Sequence, residues 1–282
     1  RFFFLSNDEL LEILAETKDP TRVQPHLKKC FDGIAKLEFS PKLDILSAYD
    51  PGSDPEQLPF FYKECQHRLI NPKDSGGNVE QWLVEVEAIM KKSMAHLVDI
   101  CKDDYGSTSR LSWIQKWQGQ AVICVNQIAW TAAVESAIRD HSSGPGGGCQ
   151  ALYESQQKML LKTVELVRGK LPKKLRTSIG ALVVMDVHNR ETTKELAHLK
   201  VNAPTDFDWQ AHLRYYHVNE KSARSGMPES VECRMINAMI LYAYEYIGNN
   251  GRLVITPLTD RCYRTLMGAI HLNLGGAPEG PA

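Results

Sequence analysis

The sequence predicts a mainly α fold, an elongated helical bundle with a few short strands. Two long segments, 79–103 and 110–140, carry apolar residues at helical spacing. Two further long helices are expected after them, and loops rich in glycine, proline and serine separate the helical segments. Long antiparallel helices joined in this way pack as a bundle. Short apolar runs at 37–39 and 43–46 predict strands beside the helices.

Composition excludes several classes of protein. Among 282 residues, 33 Lys and Arg balance 34 Asp and Glu, so the net charge is -1. No global field therefore favours nucleic acid or an anionic membrane, and we predict neither as a partner. The seven cysteines are scattered without a CxxC pair. That pattern predicts a reducing, intracellular compartment in which each thiol acts as a small buried apolar group.

The first part of the chain contains local signals for short elements. Ser6 and Glu9 have capping-box spacing, which predicts a helix that ends near Asp19-Pro20. A second short helix is expected at about 23–34, and the turn-rich run 50–55 predicts a loop.

The two long apolar segments follow. Asn78 is a suitable N-cap for a helix from Val79 to about Asp103, roughly 40 Å long at about 1.5 Å per residue. The second helix, 110–140, contains Gly119, which weakens it locally. The longest uncharged stretch, 118–134, includes three glutamines, an asparagine and a threonine. It therefore predicts a buried helix and not a membrane span.

Later elements are predicted from breaks in the pattern. The glycine-rich loop 142–148 precedes helices at 150–167 and 173–199, and a short helix is expected at 206–215. A polar loop is expected at 222–230. From Val231 the chain alternates as strands do, although the stretch from Met235 to Tyr242 also fits a helix. A soft domain boundary is placed near 248–251.

No constellation of catalytic side chains stands out. The sequence has no G-x-S-x-G motif, and its histidines lack zinc-site spacing, so we predict no catalytic residue and no metal ligand. His188, His198, His212 and His217 are interpreted as ordinary core or surface residues. Five basic residues between 168 and 176 form a local cluster, either a solvated surface or a contact for an acidic partner.

The C-terminal stretch is the most informative. Residues 252–255 predict an extended segment, and Thr256 is suited to cap a helix that begins at Pro257. That helix should end at Gly275-Gly276. Gly280, Pro281 and Ala282 fit the first three positions of a phosphate-binding loop, G-x-x-x-x-G-K-[ST]. Spacing alone favours the simpler interpretation, a strand, a turn and a helix that merely pack.

Several motifs occur together and in a familiar order. They are Phe3–Leu11, Val23–Phe31, Gly119–Val122, Gln127–Thr131, Leu182–His188, Leu213–Tyr216, Tyr244–Gly248 and Leu253–Tyr263. In this order they resemble the axonemal dynein heavy chains over nearly the whole chain. Two positions depart from the family pattern. Gln118 replaces a frequent proline, which predicts a less bent second helix, and His217 replaces a frequent aromatic residue.

The resemblance implies a domain organisation and a site. It implies that residues 1–248 are the C-terminal part of the linker, a helical arm. Residues 249–282 would be the N-terminal edge of the first AAA+ ATPase module, leading into its first strand and helix and cut within the phosphate loop. The residues that would cover adenine and begin that loop are Leu253, Val254, Ile255, Thr256, Pro257, Leu258, Gly280, Pro281 and Ala282.

The resemblance also implies an activity and partners for the parent protein. The parent would be an ATP-driven microtubule motor that binds ATP or ADP with Mg²⁺. Its partners would be the rest of the AAA+ ring, intermediate and light chains, and a microtubule reached through downstream regions. Its location would be the cytoskeleton of a cilium or flagellum. Both chain ends are expected to be cuts in a longer polypeptide. Without the phosphate-loop lysine, this chain should neither bind nucleotide tightly nor hydrolyse it. The alternative is a non-catalytic helical scaffold, and Gly-Thr-Gly-Lys-Thr following Ala282 in the parent sequence would exclude it.

Overall fold

The computed structural model describes residues 5–15, 19–76, 78–219 and 230–280. The chain divides into two compact units. The first is drawn from 1–122, 172–178 and 243–250, and the second from 123–171, 179–242 and 251–282. Most of the predicted loop 222–230 lies outside the described residues, as do Pro281 and Ala282.

The first unit opens with short helices. Helix α1, Asn7–Ala15, has the predicted capping box. Ser6 Oγ accepts a hydrogen bond from the Glu9 N–H, and the Glu9 carboxylate accepts one from the Ser6 N–H. The second helix differs from its prediction. A 3-10 turn over Pro20–His26 leads into α2, Leu27–Cys30, which ends early because Phe31 has extended backbone angles.

A three-stranded antiparallel sheet follows, in the order β1 (Lys36–Phe39), β2 (Ile45–Tyr49) and β3 (Gln57–Pro59). The first two strands were predicted and the third was not. One face is apolar, since Leu37 pairs with Ala48, Ala48 pairs with Leu58, and all three are fully buried. This face anchors the sheet in the core of the first unit.

Helix α3, Val79–Asp103, matches its predicted bounds. All ten apolar residues of the predicted stripe are buried: Val79, Trp82, Leu83, Val86, Ile89, Met90, Met94, Leu97, Val98 and Cys101. Asn78 occupies the N-cap position, but its side chain makes no capping hydrogen bond. The helical periodicity therefore fixes this element without help from the cap.

The predicted helix 110–140 is two helices, α4 (Arg110–Lys116) and α5 (Gly119–Arg139). Trp117 is extended, with φ -108° and ψ 156°, so the expectation of a less bent continuous helix was wrong. The break is stabilised by distant partners. The Trp117 indole donates to Asp104, and the Gly119 N–H donates to the Glu56 carboxylate.

Residues 243–250 return to the first unit and are held there by side chains. Gln120 donates to the Glu245 carbonyl and accepts from the Ile247 N–H, at 2.8 and 2.9 Å. Tyr246 is fully buried, and its backbone passes so close to Gly33 that a Cβ at position 33 would lie 2.2 Å from the Tyr246 carbonyl oxygen. Only glycine permits this approach.

The second unit contains α5 from Ile123 onward, α6 (Gly147–Val167), α7 (Lys173–His198, from residue 179) and α8 (Phe207–Gln210). The helices at 150–167 and 173–199 are thus confirmed within a few residues. The core of this unit includes Trp130, Val134, Ile138, Cys149, Leu196, Val201 and Trp209. All seven cysteines of the chain are free.

Helix α5 is long and apolar enough to cross a membrane, yet two thirds of its most apolar window is buried inside the protein. Its polar residues have internal partners: Asn126 donates to Asp186, and Gln127 accepts from Asn189. These features are typical of a core helix, as its sequence predicted.

A second three-stranded antiparallel sheet lies in the second unit, ordered β4 (Arg214–Val218), β5 (Ser230–Met235) and β6 (Ala238–Leu241). A tight turn joins the last two strands, with Ile236 at φ 52°. The hairpin resolves the ambiguity over 235–242 in favour of strands.

Candidate nucleotide-binding site

The final helix, α9, spans Pro257–His271 and begins as predicted. Thr256 is the N-cap, with Pro257 in the first turn. Thr256 Oγ1 accepts from the Thr259 N–H at 3.3 Å, and Thr259 Oγ1 accepts from the Thr256 N–H at 2.6 Å. This reciprocal pair fixes the direction in which the preceding segment enters the helix.

Replacing Thr256 by alanine should destabilise α9 by about 1 kcal/mol, because the Thr259 N–H loses its side-chain acceptor. No described residue of α9 is fully buried, so packing compensates little for the lost cap. Faster amide exchange across 257–271 would report the loss. Thr265→Ala, in the exposed middle of the same helix, is the control and should leave exchange unchanged or slower. Equal exchange in both variants would contradict a stabilising cap.

The helix ends earlier than predicted, at His271 and not at Gly275-Gly276. Asn273 adopts φ 57°, the Leu274 N–H donates to the Ala269 carbonyl, and the Asn273 N–H donates to the Ile270 carbonyl. This is a Schellman motif with asparagine in the left-handed position. Asparagine tolerates that conformation, so the glycines are not needed to end the helix.

The predicted adenine-covering segment is exposed. Leu253, Val254 and Leu258 are 69%, 63% and 72% exposed, Thr256 and Pro257 are also exposed, and Ile255 is half-buried. Residues 252–255 belong to neither sheet, which corrects the expected strand, since a strand needs a neighbour with which to pair. Within the described residues, their backbone N–H and C=O groups make no hydrogen bond. Apolar side chains and unused backbone groups thus lie side by side.

Of the predicted phosphate-loop residues, only Gly280 is described. It is exposed, and a Cβ there would meet no atom within 4 Å. Pro281 and Ala282 lie outside the described residues. The predicted nucleotide-site residues that the structure describes are therefore the segment 253–258, in which all but Ile255 are exposed, and Gly280 beyond α9.

A second group of chemically active side chains lies at the start of α9. The ligand atoms of His188, His212 and Asp260 all lie within 4.8 Å of one another, and all three residues are half-buried. Burial lowers the pKa of His188, and burial with nearby positive charge lowers that of His212 to about 4. Sequence spacing did not indicate this group, because the two histidines are far apart along the chain and the carboxylate comes from a third element.

Comparison with known proteins confirms the family resemblance that the sequence motifs indicated. Residues 1–101 match the family model for the dynein heavy chain, N-terminal region 2. Residues 242–282 match the model for the hydrolytic ATP binding site of the dynein motor region. The second match contains both the exposed segment and α9.

Curated relatives align with every residue of the chain. Dynein axonemal heavy chain 12 of Homo sapiens is 50% identical, heavy chain 3 is 48% identical and heavy chain 1 is 43% identical. The chain spans 8% of the length of the first relative and 6% of the other two. With such identity over its full length, and with both family models matched in order, the chain belongs to the axonemal dynein heavy chain family.

Proposed function

We propose that this chain is the C-terminal part of a dynein linker joined to the entry of the first AAA+ module of an ATP-driven microtubule motor. Residues 1–248 form the mechanical arm, and residues 249–282 form the edge of the module. Leu253, Val254, Ile255, Thr256, Pro257 and Leu258 cover the adenine, and Gly280, Pro281 and Ala282 begin the phosphate loop. The observation that carries the proposal is the match of residues 242–282 to the dynein ATP-site model.

The geometry of the segment supports adenine binding. A purine needs apolar contact on its flat faces and hydrogen-bonding groups along its edge. Leu253, Val254 and Leu258 offer exposed apolar surface, and the backbone of 252–255 offers unpaired donors and acceptors. Apolar groups left this exposed on neighbouring residues are typical of a surface that another element or ligand covers.

The anchoring of 243–250 supports a coupling between nucleotide and arm. These residues are bonded to the first unit through Asp50, Glu56 and Gln120, and the adenine segment begins directly after them. A close-packed unit transmits displacement because its interior resists deformation. Nucleotide drives the arm only to the extent that it binds the two arm positions with different affinity.

Several roles belong to the parent protein as a whole. In it we place Mg²⁺ beside the ATP phosphates, the remaining AAA+ ring and the microtubule as partners, and intermediate and light chains in the assembly. We place the motor in the cytoskeleton of a cilium or flagellum. The axonemal relatives support this location.

The test replaces Leu253 by aspartate in the complete parent motor domain and measures the dissociation constant of a fluorescent ATP analogue. A carboxylate against the adenine face loses apolar contact and must be desolvated, so we expect affinity to fall at least ~10-fold. Leu272→Asp is the control, because Leu272 is 66% exposed on the same unit but lies beyond α9. It should bind the analogue as the wild type does.

Unchanged affinity in Leu253→Asp would overturn the adenine assignment. If the wild-type motor domain itself failed to bind the analogue, the motor-ATPase proposal would fall and a non-catalytic scaffold would be favoured. Equal losses in both variants would point to a general effect of the added charge and would also count against the assignment.

A further inference from the structure

Three elements of the second unit bring His188, His212 and Asp260 together. His188 lies on α7, His212 lies just after α8, and Asp260 lies in the first turn of α9. Their ligand atoms lie within 4.8 Å of one another, and the two imidazole centroids are 6.5 Å apart. Residues so distant in sequence meet here only because the unit folds, and nothing in the nucleotide function uses them.

Two imidazoles and one carboxylate are a donor set for a first-row transition metal. Zn²⁺ bonds imidazole nitrogen at about 2.0–2.1 Å and carboxylate oxygen at about 2.0–2.2 Å, and three protein ligands with one open position are a common arrangement. Around such an ion, ligand atoms lie roughly 3.4 Å apart. Half-buried side chains at spacings up to 4.8 Å reach that geometry by small rotations.

The donor atoms of the group also suit a metal. Imidazole nitrogen and carboxylate oxygen each offer a lone pair to the ion, and binding displaces any proton that they carry. Arg214 and Arg264 contribute positive charge around His212, which opposes a cation, and Asp260 contributes the compensating negative charge. Moderate affinity is therefore expected.

We propose that His188, His212 and Asp260 bind one divalent transition-metal ion, with Zn²⁺ the best match to the donor set. The ion would join the α7 helix to the first turn of α9. Because Thr256 caps that turn, the ion would also fix the start of the helix that follows the exposed segment 253–258. This metal site is independent of nucleotide, and its test requires none.

The experiment uses the 282-residue chain, with any affinity tag removed, titrated with CoCl2 and ZnCl2. Co²⁺ bound by two nitrogens and an oxygen gives visible absorption bands, and Zn²⁺ should displace it with a stoichiometry of one ion per chain. His188→Gln, His212→Gln and Asp260→Asn should each weaken Zn²⁺ binding at least ~10-fold in calorimetry. Zn²⁺ should also raise the melting temperature of the wild type and not that of the three variants.

Two variants serve as controls. His198→Gln removes an exposed imidazole from the same helix α7, and Cys262→Ser removes the exposed thiol of α9. Both should bind Zn²⁺ as the wild type does. Circular dichroism without metal verifies the fold of each variant, and Asp260→Asn decides the case if a histidine variant fails to fold.

Absence of Co²⁺ and Zn²⁺ binding by the wild type would overturn the proposal. So would full binding in His212→Gln, or loss of binding in Cys262→Ser, since the latter would assign the ion to the thiol.

Discussion

Trp209→Ala should lower the free energy of unfolding by about 3–5 kcal/mol, the usual cost of truncating a fully buried tryptophan. Trp209 is 0% exposed and packs edge-on against Trp130, with ring centroids 5.4 Å apart at 67°. Its removal leaves a cavity among Val134, Ile138 and Leu196, which rigid helices cannot collapse to fill. Urea unfolding followed by circular dichroism measures the loss, and amide exchange should place it in the second unit.

The matched control is Phe207→Ala. Phe207 lies on the same short helix, α8, but is 64% exposed. Its truncation should change stability by no more than about 0.5 kcal/mol. If the two variants were equally stable, Trp209 would not be a core residue of the second unit.

Glu56→Ala should cost about 3 kcal/mol, because it leaves two buried donors without acceptors. Glu56 is fully buried. One carboxylate oxygen accepts from the Gly119 N–H and the other from the Tyr246 hydroxyl, each at 2.9 Å. Urea unfolding again gives the magnitude, and amide exchange should be accelerated at the start of α5.

Glu56→Gln separates the hydrogen bonds from the charge. The amide oxygen can accept from Gly119, and the amide N–H can donate to the Tyr246 oxygen, so both contacts survive. At low pH we expect this variant to lie within about 1 kcal/mol of the wild type. A loss as large as that of Glu56→Ala at that pH would show that an amide cannot replace the carboxyl group in these two hydrogen bonds.

The difference in stability between the wild type and Glu56→Gln should depend on pH. Burial raises the pKa of Glu56 above its ordinary value of 4.5. Above pH 4.5 the unfolded chain releases this proton while the folded chain retains it, so the free energy of unfolding falls as pH rises until the folded pKa is passed. The glutamine variant has no such proton. Its stability relative to the wild type should therefore increase from pH 4.5 upwards, and a constant difference would contradict a raised pKa.

Sequence patterns within a single segment were enough to place several helices. Helix α3 could be placed because ten apolar residues share one face. The start of α1 could be placed because Ser6 and Glu9 have capping-box spacing, and the start of α9 because Thr256 is suited to cap a helix that begins at Pro257. In the two capped helices the partners of the first amides are neighbours in sequence.

Elements controlled by distant partners escaped prediction. The break between α4 and α5 lies in a continuous apolar pattern, and it depends on the Gly119 amide bonding to Glu56, 63 residues away. Residues 252–255 look like a strand, but their sequence does not reveal whether another strand pairs with them. The His188, His212 and Asp260 group escaped for the same reason, since no spacing rule joins residues on three separate elements.

The return of 243–250 to the first unit has a mechanical consequence. Five hydrogen bonds hold the segment 245–249 in the first unit. Their partners are four residues from distant parts of the sequence: Asp50, Glu56, Gln120 and Lys174. Tension applied beyond Asn250 therefore loads several hydrogen bonds at the same time. In a hairpin pulled open from its end, by contrast, the hydrogen bonds break one after another. Such a junction yields only when many attachments rupture at once, so it should slip rarely under load and transmit an applied force without stretching.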